Sequence, residues 1–281
     1  MKSVFPYIGG KTRLAGWIID HLPDHTAYVE PFGGSGAVLL AKERSAVEVF
    51  NDLDSDIVTF FQVARDRPEE LADWCRMTPF SEELYREWSC QFQQGDRPDD
   101  RLEHAGRWLY LRYTTFGGKL VGKSGFKRAD PGDEKGQRYA RNWTNAPDRI
   151  QWVAERFQRV SIVHEDYSTV IERFDTPDTV FYLDPPYYQK EDCYHESADH
   201  EALAECLDEI DGYALVSYTE VPPGLYQDWA VAERDSTHGV GTKAKDVTER
   251  LLMNFDPAET PRFAGESQMR LGEVAAGGGE S

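Results

Sequence analysis

The stretch of sequence that decides the fold runs from Tyr28 to Gly36 and reads Tyr-Val-Glu-Pro-Phe-Gly-Gly-Ser-Gly. An apolar strand enters a turn rich in glycine, and a helical pattern over residues 37–44 follows at once. Such junctions bind ligands in α/β sheets, because glycine lets a ligand approach the backbone closely. The dinucleotide fingerprint fails here, since its third glycine would fall at Leu39. The absence of a Lys-Ser/Thr pair after the turn also excludes the phosphate-binding loop of nucleotide hydrolases.

The next strand pattern ends at an acid, Asp52. A carboxylate at this position in an α/β sheet can accept hydrogen bonds from ribose hydroxyls. Capping of the helix that follows is the structural alternative for Asp52. The glycine turn and this acid together predict a cofactor that contains ribose.

Short β-branched or aromatic runs alternate with helical stretches, which indicates a parallel α/β sheet. Strands are predicted at residues 27–30, 47–50, 161–163, 180–184, 213–217 and 250–255, with a weaker one near 230–233. Helices are predicted between them at residues 12–21, 37–44, 55–65, 150–157 and 200–210.

This alternation breaks between about Pro68 and Asn145. Two or three helical patterns (69–76, 82–93 and 102–113) are followed there by a basic, glycine-rich loop over residues 115–125. We therefore predict one α/β domain in two parts, residues 1–67 and 149–256, with residues 68–148 as an inserted, mainly helical subdomain. Residues 257–281 are rich in Pro, Ala, Gly and Glu, which predicts a flexible acidic tail.

The charge is distributed unevenly along the chain. Fifty acidic and 31 basic residues give a net charge of −19, which taken alone argues against a nucleic-acid partner. A cytoplasm of high salt concentration is one cause of such an acidic composition. Residues 107–141, however, carry nine basic and three acidic side chains, so this window is +6 and the rest of the chain is −25. A basic island in an acidic chain predicts contact with a polyanion.

Composition excludes several other classes of protein. With 40% hydrophobic residues the chain can bury a core, so it is not wholly disordered. Its apolar runs are far shorter than the roughly 18 residues of a membrane span, and no apolar signal region follows Met1. We therefore expect a cytoplasmic protein that does not contact membranes. Four scattered cysteines without Cys-x-x-Cys spacing argue against disulfides and a zinc site.

The second chemical motif is Asp184-Pro185-Pro186-Tyr187, directly after an apolar strand. The carboxylate of Asp184 and the carbonyl of Pro185 form a rigid pair of acceptors, because proline fixes φ and donates no hydrogen bond. This pair suits the two hydrogens of an exocyclic amino group. Tyr187 offers a face on which a planar base can stack.

Three motifs in this order resemble the Dam family (D12 class) of DNA adenine-N6 methyltransferases: Tyr7-Ile8-Gly9-Gly10-Lys11, the turn from Glu30 to Gly36, and Asp184-Pro185-Pro186-Tyr187. The resemblance covers about residues 5–255. It implies the Rossmann-like class I fold of S-adenosylmethionine-dependent methyltransferases. The cofactor contacts it implies are Tyr7, Lys11, Glu30, Phe32, Gly34, Gly36, Asp52, Asp166, Tyr167 and Asp184. Tyr7 stands where family members often have Trp.

The resemblance also implies the reaction. Asp184, Pro185, Pro186 and Tyr187 would carry methyl transfer to N6 of an adenine that is flipped out of duplex DNA. No metal is expected. The DNA contacts predicted in the basic insertion are Arg112, Lys119, Lys123, Lys127 and Arg128. Pairing with neighbouring acids on a helix is the alternative for Arg107 and Arg112.

Two other functions stay open at this point. The amino group of cytosine N4 poses the same chemical problem, and a catalytically inactive relative could keep the fold as a DNA-binding module. A methyltransferase that acts on proteins or small molecules is disfavoured, because such substrates would leave the basic insertion without a polyanion to bind. We expect a monomer, with a cognate restriction endonuclease as a candidate partner.

Overall fold

The computed structural model describes residues 4–6, 11–116, 125–128, 134–186, 188, 198–238 and 245–263. Seven strands are found in these ranges: β1 (Ala27–Glu30), β2 (Val47–Asn51), β3 (Val160–Val163), β4 (Thr179–Leu183), β5 (Tyr213–Tyr218), β6 (Ala230–His238) and β7 (Lys245–Met253). The same ranges hold ten helices: α1 (Ala15–Ile19), α2 (Ala37–Ala41), α3 (Ser55–Asp66), α4 (Pro68–Met77), α5 (Glu82–Gln93), α6 (Arg101–Thr114), α7 (Glu134–Thr144), α8 (Ala146–Phe157), α9 (Tyr167–Phe174) and α10 (His200–Asp208). A 3₁₀ turn, Lys11–Arg13, precedes α1.

The strands form one sheet in the order β3-β2-β1-β4-β5-β7-β6. β1 pairs in parallel with β2 and β4, and β4 pairs in parallel with β5. β7 is antiparallel to both β5 and β6. The strand order reverses between β1 and β4, and ligands bind at such a switch point in doubly wound sheets. The predicted Rossmann-like α/β fold is confirmed.

The central strands are apolar because they are covered on both faces. All five residues of β4, Thr-Val-Phe-Tyr-Leu, are buried, and so are the last three residues of β1. Parallel strands covered by helices on both faces have continuous apolar runs instead of alternating ones. This explains why residues 180–183 were predictable as a strand from composition alone.

The chain divides into two compact units. The sheet unit comprises residues 13–51 and 165–281, and the helical unit comprises residues 1–12 and 52–164. The helical unit therefore takes in α3, α8 and β3 in addition to the helices of the predicted insertion. The predicted domain bounds remain a prediction.

An aromatic cluster forms the core of the helical unit. The ring of Phe5 lies edge-on to Phe60 and Trp108, with centroids 5.2 and 4.8 Å apart, and Phe61 stacks on Phe157 at 4.6 Å. These rings join α3, α6 and α8. Aromatic pairs of this kind bury large apolar areas, so they account for much of the packing between these helices.

A buried carboxylate, Asp56, ties α3 to α6 within the helical unit. It accepts two hydrogen bonds from the guanidinium of Arg97, at 2.7 and 2.9 Å, and one from Nε2 of His104 at 2.7 Å. Burial alone raises the pKa of Asp56, but the hydrogen bonds from His104 and Arg97 outweigh it and hold the pKa below its usual value. The carboxylate is therefore buried in its charged form.

The last described segment returns to the sheet unit's first loop. Arg262 forms a β-bridge with Pro23, and the ring of Phe263 stacks on His25 with centroids 4.1 Å apart. Beneath these rings the buried ammonium of Lys42 donates to Glu48 at 2.9 Å and lies 4.9 Å from the Phe263 centroid. We call residues 261–263 the closing segment, because it covers this buried ion pair.

Two helices were not predicted from the sequence, α7 and α9. The α7 sequence, Glu-Lys-Gly-Gln-Arg-Tyr-Ala-Arg-Asn-Trp-Thr, is strongly polar, and its few apolar residues did not mark it as a helix. α9 has only eight residues, about two helical turns, which is too short for a clear apolar repeat. The last strand begins at Lys245, earlier than predicted, because its charged first half pairs with β6 rather than entering the core.

Several findings bear on the excluded classes. Within the described ranges, no helix is long and apolar enough to cross a membrane. No group of three or more potential metal ligands occurs in that part of the chain either. The described cysteines Cys75, Cys90 and Cys206 are free thiols.

Candidate cofactor and catalytic site

The turn after β1 has a backbone that only glycine adopts easily. Gly34 and Gly36 have φ of 52° and 60°, which lie in the left-handed region. A Cβ on Gly33 would come within 2.3 Å of the Phe50 ring, so this glycine allows close packing against β2. The amide of Gly33 donates to the carbonyl of Asn51 at 2.7 Å. Gly34 and Gly36 thus provide backbone without side chains at the carboxyl end of β1.

Glu30 braces this turn from inside the protein. It is only 2% exposed, and its Oε1 accepts hydrogen bonds from the Tyr28 hydroxyl and the Leu39 amide, both at 2.8 Å. The Leu39 bond ties the strand end to α2. Burial, followed by the Glu30 carboxylate, raises the pKa of Tyr28 far above its usual value, so the phenol stays a donor. These contacts give Glu30 a structural task at the predicted cofactor site.

Asn51 joins the loops at the carboxyl ends of three strands, and sequence reasoning did not identify it. Its Nδ2 donates to the carbonyls of Pro31 and Glu165 at 2.8 and 3.0 Å. Its Oδ1 accepts the amide of Glu165 at 3.0 Å. The signal in the sequence is a polar side chain at the buried end of an apolar strand, because a buried amide must find partners.

An aromatic pair lies beside the glycine turn. The rings of Phe32 and Tyr167 are 5.3 Å apart at an interplanar angle of 30°. Asp166 caps α9, with Oδ1 accepting from the amide and the hydroxyl of Ser168 at 2.9 and 2.6 Å. Burial, followed by the charge of Asp166, raises the pKa of Tyr167. The structure therefore brings together the predicted residues of the turn and those that follow β3.

The predicted catalytic segment follows β4, the neighbour of β1. Asp184 and Pro186 are half-buried, and Pro185 between them is buried. Because β4 ends at Leu183, the carboxylate of Asp184 lies at the carboxyl edge of the sheet. Tyr187 lies outside the described residues.

The other predicted cofactor residues belong to the helical unit. Lys11 is buried in the 3₁₀ turn that precedes α1. Oδ1 of Asp52 accepts the amide of Asp54 at 2.8 Å, and Asp54 in turn caps α3 by accepting the amide of Asp56. The helix cap is thus Asp54, and Asp52 orders the turn before it. Tyr7 lies outside the described residues.

The predicted DNA contacts have varied environments. Arg112 is buried, with its guanidinium 4.7 Å from the Trp108 ring centroid, and Lys127 is buried with its ammonium 2.7 Å from the carbonyl of Tyr113. Burial lowers the pKa of Lys127 to about 8. Arg128 is exposed and forms two hydrogen bonds with Glu82, at 2.6 and 3.2 Å. Their DNA contacts remain predictions.

Lys119 and Lys123 lie outside the described residues. The base of the loop that contains them is described: Thr115 and Phe126 form a β-bridge at its two ends. The ring of Phe126 packs against Phe80 at a centroid distance of 5.0 Å. Arg107 pairs with Glu103 one helical turn away at 2.6 Å, which is the alternative that the sequence left open.

The model of the family described as D12 class N6 adenine-specific DNA methyltransferase matches residues 7–231. The chain belongs to this family. The predicted resemblance is therefore confirmed over most of the chain, and with it the class I Rossmann-like fold. Membership of this methyltransferase family implies a methyl donor.

Relatives from three bacteria show how low the sequence identity is. The chain is 26% identical over 191 residues to a DNA adenine methylase of Vibrio cholerae, a match that covers 66% of this chain and 65% of that protein. It is 28% identical over 188 residues to the DNA adenine methylase of Escherichia coli, with the same coverage of 66% and 65%. It is 24% identical over 285 residues to a type II methyltransferase of Lactococcus lactis, covering 91% and 96%. The chain thus spans less than two thirds of the length of the first two relatives.

Proposed function

We propose that the chain is a site-specific DNA methyltransferase that transfers a methyl group from S-adenosylmethionine to N6 of an adenine. One observation carries this proposal. The glycine turn and Asp184 follow β1 and β4, which are adjacent parallel strands paired at Val29 and Phe181. The carboxyl ends of adjacent parallel strands lie at the same edge of the sheet, so a ligand on the turn lies beside Asp184.

The residues of the turn fit S-adenosylmethionine. Gly34 and Gly36 offer backbone without side chains, and the Phe32 and Tyr167 rings offer an apolar face to a planar base. The family resemblance adds Tyr7, Lys11, Glu30, Asp52 and Asp166 as further residues that hold the cofactor. When bound, S-adenosylmethionine supplies a methyl group activated by a positively charged sulfur.

The protein's own chemical task is to make a poor nucleophile react. The lone pair of an adenine amino group is delocalised into the ring. The carboxylate of Asp184 and the carbonyl of Pro185 accept the two amino hydrogens, which favours a pyramidal nitrogen with its lone pair directed at the methyl group. Pro186 keeps the segment rigid, and Tyr187 stacks on the base.

The substrate is duplex DNA in this proposal. The target base is out of reach inside a duplex, so it must be flipped out before it meets Asp184. Support comes from the basic window of residues 107–141, with a charge of +6 in a chain of −19. Among its residues, Arg128 is exposed at the surface, where it pairs with Glu82 at 2.6 Å.

The direct test is to express the chain in cells that lack DNA methylation and to quantify methylated nucleosides by mass spectrometry. We expect N6-methyl-2′-deoxyadenosine, and methylation-sensitive sequencing of the same DNA should place it at a defined sequence. Detection of N4-methyl-2′-deoxycytidine instead would show that the enzyme methylates cytosine rather than adenine. Binding of DNA without any methylated base, in the presence of S-adenosylmethionine, would select the inactive DNA-binding relative.

Replacing Asp184 with Ala tests the site. We expect loss of more than nine tenths of the methylation rate with an unchanged unfolding temperature, because a charged acceptor is lost from a half-buried strand end. Asp178→Ala is the matched control: it removes the same charge from an exposed position just before β4. Retention of more than about a tenth of the rate by Asp184→Ala would overturn the assignment.

A further inference from the structure

A group of aromatic side chains lies directly behind the Asp184 segment, within the sheet unit. β4 and β5 are parallel, and Leu183 is the register partner of Val216. Tyr218 is the last residue of β5, two residues after Val216. Tyr218 is fully buried, so its hydroxyl needs a partner inside the protein.

That partner is His200, near the start of α10. Its Nδ1 lies 2.9 Å from the Tyr218 hydroxyl, and the two rings are 5.5 Å apart at 61°. The His200 ring also lies edge-on to Tyr188, with centroids 5.8 Å apart. Tyr188 is four residues after Asp184. Through Tyr188 the hydrogen-bonded pair therefore contacts the chain just after the predicted catalytic residues.

The turn after β5 holds the pair from the other side. Tyr226 packs with its ring 6.1 Å from Tyr218 and 4.8 Å from Trp229. Its φ is 58°, a backbone conformation that a bulky residue rarely adopts. Strain of this kind persists only where the surrounding contacts enforce it.

Electrostatics agrees with this geometry. Burial, then the Tyr226 phenol, then the charge of Asp184 raise the pKa of Tyr218. The Tyr218 hydroxyl is thus protonated at any physiological pH and lies within the field of the proposed catalytic carboxylate.

We propose that Tyr218 and His200 are positioning residues for methyl transfer, because their hydrogen bond and the contact of His200 with Tyr188 hold the chain next to Asp184 against the end of β5. This inference rests on the proposed function of Asp184. The pair touches neither ligand in this proposal. It keeps the carboxylate and the Pro185 carbonyl at the separation that the amino group requires, and a misplacement of about 1 Å at such a site costs on the order of a hundredfold in rate.

Tyr218→Phe is the test, since it removes the hydroxyl and keeps the ring. We expect kcat to fall by roughly ten- to a hundredfold, while KM for DNA and for S-adenosylmethionine stays within about twofold. Tyr213→Phe is the matched control, because it removes a phenol hydroxyl from the opposite end of the same strand. It should leave kcat unchanged.

Two variants of His200 add a readout that a merely structural role would not give. An Asn side chain can present a polar atom near the position of Nδ1, whereas Leu cannot. In a protein that keeps Tyr218, we expect the His200→Asn variant to retain much of the methylation rate that the His200→Leu variant loses. When either variant is combined with Tyr218→Phe, the two double variants should have equal rates. The hydroxyl to which Asn but not Leu can bond is then absent.

A wild-type kcat for Tyr218→Phe would overturn the inference. So would a rise in KM for both ligands together with a lower unfolding temperature, since that pattern indicates a general structural role. The Asp184→Ala variant separates this failure from that of the proposed function. An active Asp184→Ala variant overturns the proposed function, whereas an inactive one beside a fully active Tyr218→Phe variant overturns the positioning role alone.

Discussion

Asn51 and Asp52 are consecutive residues with different tasks. Asn51 is buried and bonds to the loops after β1 and β3, whereas Asp52 is half-exposed and bonds to the amide of Asp54. Asp52 was predicted to bind ribose hydroxyls because it directly follows a strand. Sequence reasoning missed Asn51, because its partner Glu165 is 114 residues away in the chain and cannot be read from a local pattern.

Replacing Asp52 with Ala should weaken S-adenosylmethionine binding more than DNA binding, since its proposed partners are ribose hydroxyls. Calorimetry with each ligand measures both affinities. Asp54→Ala is the control: it removes the cap of α3, which costs about 1 kcal/mol of stability, and should leave the ratio of the two affinities unchanged. Equal losses of both affinities in Asp52→Ala would show a structural role instead.

At the scale of the element, the strands and the position of the Asp184 motif directly after β4 were predictable because their signals are local. The Asp184 motif, the glycine turn and the buried parallel strands all follow from residues that are neighbours in sequence. The environments of Arg112 and Lys127 were not predictable, since basic side chains in a polar stretch look exposed until tertiary packing covers them. Lys127 bonds to the end of α6, and only the closed base of the loop brings it there.

The ring of His25, on which Phe263 of the closing segment stacks, makes the stability of the fold depend on pH. Burial lowers the pKa of His25 to about 4, against 6.5 in an unfolded chain, so the folded protein binds fewer protons between these values. The contribution of neutral His25 to the free energy of unfolding is therefore fully present above pH 6.5. It falls by at most about 3 kcal/mol as the pH drops toward 4.

The measurement is urea unfolding of wild type and His25→Gln between pH 4 and 7. The variant should be less stable at pH 7 and lose less stability on acidification. His21→Gln, four residues earlier and half-buried, should keep the wild-type slope. A slope in His25→Gln as steep as that of the wild type would contradict the assignment.

At the scale of the whole molecule, the net charge of −19 predicts a response to salt. If the composition reflects a saline cytoplasm, molar salt should stabilise the fold, because it shortens the screening length to about 3 Å and weakens repulsion among carboxylates. The same salt weakens phosphate contacts, so DNA affinity must depend more on base contacts and stacking.

Titration of methylation activity against potassium chloride tests this expectation. Activity should persist well above about 0.2 M salt, and an optimum below that concentration would remove the saline interpretation. Neutralising Lys119 and Lys123 should weaken DNA binding without changing cofactor binding. Lys127→Met is the informative comparison, since its ammonium is buried at the end of α6 and its loss should lower stability rather than DNA affinity alone.

The pairing of β1 with β4 has a consequence for how the chain matures. Ala27 pairs with Thr179, so the first strand leaves the ribosome long before its neighbour is synthesised. At 5 to 20 residues per second this delay is roughly 8 to 30 s. The whole of residues 52–164 emerges in that interval, and the apolar edge of β1 must be kept from aggregating until β4 arrives. Slow synthesis between these strands is thus a hazard, and chaperones that shield strand edges should raise the yield of folded protein.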